Sequence, residues 1–402
     1  MIASRLRVIL AIELVAYYFA APYIILLGLD EQRGLFDAAT PMNYRLLAYA
    51  LLVGIYPFLL MLVSPYVGKQ LDQRQSKISI LRKIHLANGI CYSLLGVAAW
   101  FQSLPLALFA LVIPGVVGCA SPVGKSLIAS LTKPEERVQE FAKLAFIKGV
   151  VKLSIPLAGV FVFKILLQEA GYSPLFYLSS LLSFGCFLYS FTFPHYCEKQ
   201  DVVAQTPAWP LFTTLVKNNY PLLAVFMLLI TGYAVFVKFA PFMLFEKIGD
   251  NPSIVNYFAS LVGLAASVNQ LTMVRYADRI GRVLGLVFIS LLVLTMTLCV
   301  SGAGPIWFVG FFGVLFCFSV LHTSIEARLS LAGAVNTQGT RQGILYSVEN
   351  WGYIVAPALG SVLASFSTVY PLYFVASVGF FALLFFIYSD LRPQRAYYTE
   401  AG

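Results

Sequence analysis

Two lysines lie near the middle of an apolar stretch of this sequence. "FIKGVVKLSIPLAG" (146–159) falls within an apolar run, 142–167, that is long enough to cross a bilayer as a helix. At 1.5 Å per residue, Lys148 and Lys152 lie about 10 and 16 Å inside that run. They are four residues apart and therefore share one helix face. A charged group at the centre of a membrane helix costs about 2.5–3.5 kcal/mol, so both ammonium groups require negative charge or water.

The second half of the sequence offers acidic partners. A shift of 201 residues places "SIPLAG" (154–159) on "VAPALG" (355–360), with proline and glycine in register. The same shift places Lys148 on Glu349 and Lys125 on Glu326. Opposite charges at equivalent positions of two repeated halves should face one another, so we predict a charged gate formed by these four residues. Static salt bridges that only assemble the helices are the alternative.

The composition indicates a membrane protein. Of 402 residues, 59% are hydrophobic and 11% charged, against about a quarter charged in soluble domains, and the mean hydropathy is +0.82. The net charge of +9 does not indicate nucleic-acid binding, because the basic residues lie in short loops and form no continuous face. The six cysteines have no metal-ligand spacing, so we expect buried thiols, no metal and no cofactor.

Twelve apolar runs predict twelve transmembrane helices in an all-α fold. The spans are 6–28, 45–67, 84–104, 106–131, 142–167, 173–193, 219–245, 253–274, 283–303, 305–330, 342–367 and 370–390. They form an N-terminal six-helix bundle (1–193), a cytoplasmic linker (194–218) and a C-terminal six-helix bundle (219–402). The first span is too long for a signal peptide core and should be retained.

The distribution of lysine and arginine predicts the orientation. With both termini in the cytoplasm, 17 of these residues fall in inner loops or ends and three in outer loops. This asymmetry fits the positive-inside rule. We therefore predict a multi-pass protein of a bacterial inner membrane with both termini cytoplasmic.

Two loops carry related motifs. "GKQLDQRQSK" (68–77) follows span 2 and "VRYADRIGR" (274–282) follows span 8, with Asp72 opposite Asp278. Both resemble motif A of the major facilitator superfamily, and "SIPLAG" resembles a weakened antiporter motif of its drug/proton branch. The pattern departs from that branch at three points. Gln73 and Gln75 replace a basic residue and a glycine in the first motif, Pro114 stands where an arginine is common, and Ile155 stands where glycine is usual.

The resemblance implies the major facilitator fold, two pseudo-symmetric six-helix bundles around a central cavity lined by spans 1, 4, 7 and 10. It makes Glu13, Lys125, Lys238, His322 and Glu326 candidates to face that cavity. It also assigns a conformational role, holding the cytoplasmic side closed, to Asp72, Asp278, Arg279 and Arg282.

Two sets of candidate residues follow for solute and proton. Surplus positive charge in the spans favours an anionic solute, and the predicted substrate-binding residues are Lys152, Lys238, Lys125, Tyr233, Tyr353 and Asn350. The predicted proton-coupling residues are Glu13, His322 and Glu326, since a free histidine titrates near neutral pH and a carboxyl group within a span can exchange a proton. His85 and Asn88 in span 3 are interpreted as packing residues.

The sequence therefore predicts a secondary active transporter. The preferred cargo is a small carboxylate-bearing anion, for instance a polycarboxylate siderophore, moved by alternating access with protons in a monomeric carrier. A proton-coupled multidrug efflux antiporter and a non-transporting membrane sensor are the alternatives. The sequence has no HExxH, GxSxG, GxGxxG or phosphate-binding loop motif, so an enzyme is not expected.

Overall fold

The computed structural model describes most of the chain. It covers residues 2–30, 33–37, 39–73, 77–131, 134–166, 171–193, 208–248, 253–273, 305–331 and 338–391, with further helical residues at 287, 289–291 and 293–295. The predicted ninth span, 283–303, lies mostly outside these ranges.

Within the described residues the chain forms twelve α-helices. They are α1 (Ile2–Leu29), α2 (Met42–Gln73), α3 (Lys77–Trp100), α4 (Leu104–Val117), α5 (Ala120–Leu131), α6 (Pro134–Leu166), α7 (Ser173–Tyr189), α8 (Ala208–Ile248), α9 (Ser253–Met273), α10 (Pro305–Leu331), α11 (Gln338–Phe366) and α12 (Tyr370–Leu391). A helix bonds its main-chain polar groups within its own segment, which the bilayer interior requires. The all-α prediction is confirmed.

Several helices are individually suited to a membrane. Six helical stretches of the described residues are long and apolar enough to cross it: Arg5–Gly28, Tyr44–Leu71, Leu104–Ile128, Ser173–Thr192, Tyr220–Ala240 and Tyr370–Tyr388. A shorter apolar stretch, Val309–His322, lies in α10. Each of these falls on a predicted span, so the hydropathy pattern located them correctly.

The predicted fourth span is two helices rather than one. α4 ends at Gly118, whose φ of 115° is in the region that favours glycine. The Gly118 N–H donates to the Pro114 carbonyl group over 3.0 Å, which closes the last turn of α4. α5 then begins at Ala120 and leaves Cys119 at the break. The span predicted for 106–131 is therefore in the expected place, but the backbone at Gly118 divides it into two helices.

Part of the predicted linker is helical. Residues 208–218 are helical and continuous with the membrane part of α8, a helix of 41 residues. The remainder of the predicted linker, 194–207, lies outside the described residues.

The helices pack as two halves. In the first half (α1–α7), α3 contacts α4 and α7, and α1 contacts α6 and α7. In the second half (α8–α12), α8 contacts α11 and α12, and α9 contacts α10. Phe226, Phe236, Phe311 and Phe318 are at most 2% exposed and form much of the second half's core. The two halves meet along α2 with α11 and along α6 with α9.

Glycines allow these two inter-half contacts to be close. A Cβ atom built on Gly263 of α9 would lie 2.3 Å from the main-chain nitrogen of Leu153 on α6. A Cβ atom on Gly343 of α11 would lie 2.4 Å from the Ser64 carbonyl oxygen on α2. Small residues let membrane helices approach to backbone contact. The first contact fixes the height of α9 against the part of α6 that carries Lys152.

A valine at Gly263 should therefore prevent native packing. We expect Gly263→Val to lower the thermal midpoint strongly or to abolish a monodisperse folded species, because overpacking against a backbone commonly costs about 1–3 kcal/mol or more. The measurement is thermal unfolding and size-exclusion chromatography in detergent. Gly185→Val is the control, since a Cβ atom there meets nothing within 4 Å. Equal behaviour of both variants would contradict the close contact.

Candidate functional site

Polar side chains from both halves meet between α1, α6, α8, α10 and α11. We call this group the central cluster. It comprises Tyr18, Lys148, Lys152, Tyr233, His322 and Glu349. α6 and α11, which the repeat makes equivalent in the two halves, each carry a proline within the helix, Pro156 or Pro357.

Lys152 lies at the middle of the central cluster and is half-buried. Its Nζ donates to the Tyr233 hydroxyl oxygen over 3.3 Å and lies 5.7 Å from the centroid of the Tyr18 ring. Tyr18 belongs to the first half and Tyr233 to the second. Both contacts are with neutral groups, and a ring face attracts a cation. Among the residues that the structure describes, neither of these contacts joins this ammonium group directly to a carboxylate.

Glu349 supplies negative charge to the same region. Its Oε1 lies 3.7 Å from Nε2 of His322, and the two side chains are 22% and 30% exposed. The Lys152 ammonium group is within electrostatic range of Glu349 and of Lys148. Lys148 is exposed, one turn from Lys152. The His322 ring also packs on Phe226, with centroids 5.4 Å apart.

Lys238 makes different contacts from those predicted. Its Nζ donates to the main-chain carbonyl oxygens of Val53 (3.4 Å) and Tyr353 (3.2 Å). It also lies 5.8 Å from the centroid of the Tyr353 ring. Val53 is in α2 and Tyr353 in α11, so this lysine connects the two halves through backbone acceptors. Its predicted contact with substrate stays a prediction.

One further predicted substrate-binding residue, Asn350, has a protein partner. Nδ2 of Asn350, which is 3% exposed, donates to the Tyr346 carbonyl oxygen over 2.6 Å. The Tyr346 hydroxyl group in turn donates to Sγ of Cys119 over 3.1 Å. That contact joins α11 to the break between α4 and α5. Asn350 thus orients the turn of α11 that precedes Tyr353.

Glu13 lies inside the first half, buried between α1, α3 and α7. Only 5% of it is exposed, and its carboxylate contacts His85 Nδ1 (2.8 Å) and accepts a hydrogen bond from Asn88 Nδ2. The structure thus places Glu13 in a buried polar group instead of on the cavity that the resemblance implied. His85 and Asn88 are partners of a carboxylate and not packing residues alone. Their spacing of three residues, which places them on one face of an apolar helix, was the available signal.

The donor atoms of Glu13, His85 and Cys186 all lie within 4.8 Å of one another. Hydrogen bonds already account for most of this cluster, because the Cys186 thiol donates to the Ile9 carbonyl oxygen (3.6 Å) and Glu13 is bonded twice. His85 Nε2 has no hydrogen-bond partner among the described residues. We interpret the cluster as a hydrogen-bonded connection between three helices.

Two further contacts near helix ends have no signal in the sequence. The Tyr23 hydroxyl group on α1 donates to the Gly159 carbonyl oxygen on α6 (3.1 Å), and the Tyr172 hydroxyl group donates to the Asp30 carboxylate. Burial, and secondarily the Asp30 charge, raises the pKa of Tyr172, so this hydroxyl keeps its proton.

The other predicted gate residues cannot be placed in the site. Lys125 and Glu326 belong to α5 and α10, and Asp72 to the last turn of α2, but their side chains lie outside what the structure describes. Asp278, Arg279 and Arg282 lie wholly outside the described residues.

A comparison with known families identifies the architecture. The family model described as Major Facilitator Superfamily matches residues 8–325 and 222–401, which together cover nearly the whole chain. The chain belongs to the major facilitator superfamily. Its members are membrane carriers, so this protein is a multi-pass transporter and not an enzyme, as predicted from the sequence.

Named relatives of the superfamily extend the comparison. The tetracycline resistance protein, class B, of Escherichia coli is 23% identical over 337 residues, 79% of each chain. The multidrug resistance protein MdtG of Proteus mirabilis is 24% identical over 351 residues, 83% of each chain. Among solved structures, the human organic anion transporter MFSD10 superposes with a TM-score of 0.74 at 14% identity, covering 96% of this chain and 98% of that one. A D-xylose-proton symporter gives the same TM-score and identity, covering 96% and 97%. These likenesses confirm the major facilitator fold.

Removing the Glu13 carboxylate should destabilise the first half of this transporter. In Glu13→Leu, His85 and Asn88 lose a buried partner, and each unsatisfied buried group costs about 1–3 kcal/mol. We expect a fall of several degrees in the thermal midpoint, measured by intrinsic tryptophan fluorescence in detergent. Glu13→Gln, which keeps two hydrogen-bonding atoms, should fall less. A Glu13→Leu protein as stable as the unmodified one would contradict the buried cluster.

Proposed function

We propose that this transporter moves a small organic anion across the membrane by alternating access, coupled to protons. The observation that carries the proposal is Lys152: a half-buried ammonium group at the junction of the two halves, whose described contacts are a tyrosine hydroxyl group and a tyrosine ring. A charge in such a place is best compensated by a mobile anion. The carboxylate-bearing solute predicted from the sequence, including a polycarboxylate, fits this requirement.

The charged gate is part of this proposal. Lys148 of the first half and Glu349 of the second attract one another when the inner side is closed, as do Lys125 and Glu326. Opening then requires that these groups be hydrated or that one be neutralised by a proton or by the cargo. Asp72, Asp278, Arg279 and Arg282 hold the neighbouring helix ends in the closed state.

Proton coupling is proposed at the pair His322 and Glu349. When the histidine carries a proton, the pair is a salt bridge; when it is neutral, Glu349 is available to Lys148 or Lys152. Protonation therefore changes the charge that the cargo meets. Glu326, also predicted from the sequence, completes the proposed proton-coupling set, whereas Glu13 is bonded inside the first half.

The proposed location is a bacterial inner membrane, with both termini in the cytoplasm and a monomer as the working unit. The positive-inside asymmetry supports this orientation, and both named sequence relatives come from bacteria.

Proton-coupled drug efflux is the second candidate. It is supported by the two relatives, whose names refer to tetracycline resistance and multidrug resistance. The aromatic side chains around Glu349 also suit a ring-bearing cation. The lysines of the central cluster favour the anion, because a cationic drug would meet Lys148 and Lys152 at the same site. A membrane sensor on the same fold would transport neither class.

Replacing Lys152 tests the anion site directly. We expect Lys152→Met to lower anion-dependent uptake into proteoliposomes by about 10- to 100-fold, because a hydrogen bond to a charged group contributes about 1.5–3 kcal/mol. The assay measures counterflow of radiolabelled citrate and of a panel of aromatic carboxylates. Lys143→Met is the matched control, since Lys143 lies exposed on the same helix nine residues earlier. Anion uptake equal in both variants would exclude the proposed site.

His322→Gln tests the coupling. Glutamine can still hydrogen-bond to Glu349 but cannot become a cation, so we expect transport driven by a pH gradient to lose most of its dependence on pH while exchange without a gradient continues. The measurement compares both modes in proteoliposomes between pH 5.5 and 8. A His322→Gln protein with an unchanged pH profile would remove His322 from the proton path.

A further inference from the structure

The central cluster has two poles of opposite charge. Lys148 and Lys152 project from α6 of the first half, and Glu349 lies on α11 of the second half at the position equivalent to Lys148. Glu349 and Lys152 are within electrostatic range of each other. The positive charges lie on α6 and the negative charge lies on α11. A cargo between these helices therefore meets lysines on one side and a carboxylate on the other.

Aromatic rings lie near both poles. Tyr17 and Tyr18 of α1 form an edge-to-face pair with centroids 5.0 Å apart. Tyr233 packs edge-on against Phe318, with centroids 5.7 Å apart, while its hydroxyl oxygen accepts a hydrogen bond from Lys152. The Glu349 charge acts on the Tyr17 and Tyr233 hydroxyl groups. The same rings therefore adjoin both poles and offer faces and edges to a flat cargo.

A cargo with a single charge is attracted by one pole and repelled by the other. A simple anion that contacts Lys152 brings its negative charge towards the Glu349 carboxylate. A simple cation that contacts Glu349 brings its positive charge towards Lys148 and Lys152. A molecule that carries both an acidic and a basic group meets an opposite charge at each end. Repulsion between like charges then excludes simple anions and simple cations.

We propose that the central cluster takes an amphoteric aromatic solute, with its acidic group on Lys152, its amine on Glu349 and its ring among Tyr17, Tyr18 and Tyr233. This rests on the proposed function and narrows it from organic anions to those that also carry a basic group. His322 then has a second role. When protonated, it pairs with Glu349, so the carboxylate no longer binds the amine and the amine is released.

The test uses two sets of matched probes on the purified full-length protein in nanodiscs. The first set is norfloxacin (acid and amine), N-acetyl norfloxacin (acid only) and norfloxacin ethyl ester (amine only). The second set is 4-(aminomethyl)benzoate, 4-methylbenzoate and 4-methylbenzylamine. Affinity is measured by equilibrium dialysis at pH 7.5. We expect the amphoteric member of at least one set to bind tenfold or more tightly than both of its singly charged analogues.

Two variants assign the poles. Glu349→Gln should weaken binding of the amphoteric probe about tenfold and leave the acid-only probe unchanged or tighter. Lys152→Met should weaken the amphoteric and the acid-only probes and spare the amine-only probe. Lys143→Met is the control and should match the unmodified protein, and thermal unfolding verifies that each variant is folded.

The outcomes separate this inference from the proposed function. The amphoteric site is overturned if acid-only probes bind as tightly as amphoteric ones, if Lys152→Met loses this binding and if Glu349→Gln does not change it. That result would still support an anion transporter. Amine-only probes that bind most tightly overturn both and favour drug efflux. No binding by either amphoteric probe also overturns the inference.

Discussion

The cost of placing charge away from water governs this structure. An ammonium or carboxylate group within a membrane-spanning bundle needs partners from the protein, from water or from cargo. The protein meets this requirement in three ways. Glu13 is bonded by two side chains of α3, Lys238 by two main-chain carbonyl groups, and Lys152 by an aromatic ring and a hydroxyl group. The three arrangements differ in how fully protein groups satisfy the charge. On this basis we distinguish charges that stabilise the fold from the one proposed to bind cargo.

The three arrangements also differ in which helices they connect. The Glu13 group connects helices of one half and can stay intact while the halves move. The Lys238 bonds join α2 of one half to α11 of the other, so any separation of those helices must break one of them. Lys152 contacts Tyr18 and Tyr233, one from each half. Assembly and the connection between halves thus use the same chemistry as the proposed cargo site.

The sequence predicted the features that depend on hydropathy and on the repeat. Residue type and spacing alone predict the spans represented by α1, α2, α7, α8 and α12. They also predict the prolines within α6 and α11. It did not predict the break at Gly118, because a glycine in an apolar run is compatible with a continuous helix until its φ is known. It failed in the same way for Lys238, since backbone carbonyl groups leave no pattern in a sequence. Charge pairing by symmetry pointed to Lys148 and Glu349. The approach of His322 to Glu349 depends on helix rotation, which the sequence does not give.

The close contact at Gly263 has a consequence for the route of the cargo. Where the α6 and α9 backbones touch, no acyl chain fits between them, and this contact is level with Lys152. At that height a molecule dissolved in the bilayer has no sideways entrance to the lysine between these two helices. Entry from the bilayer to Lys152 between α6 and α9 would require these two backbones to separate.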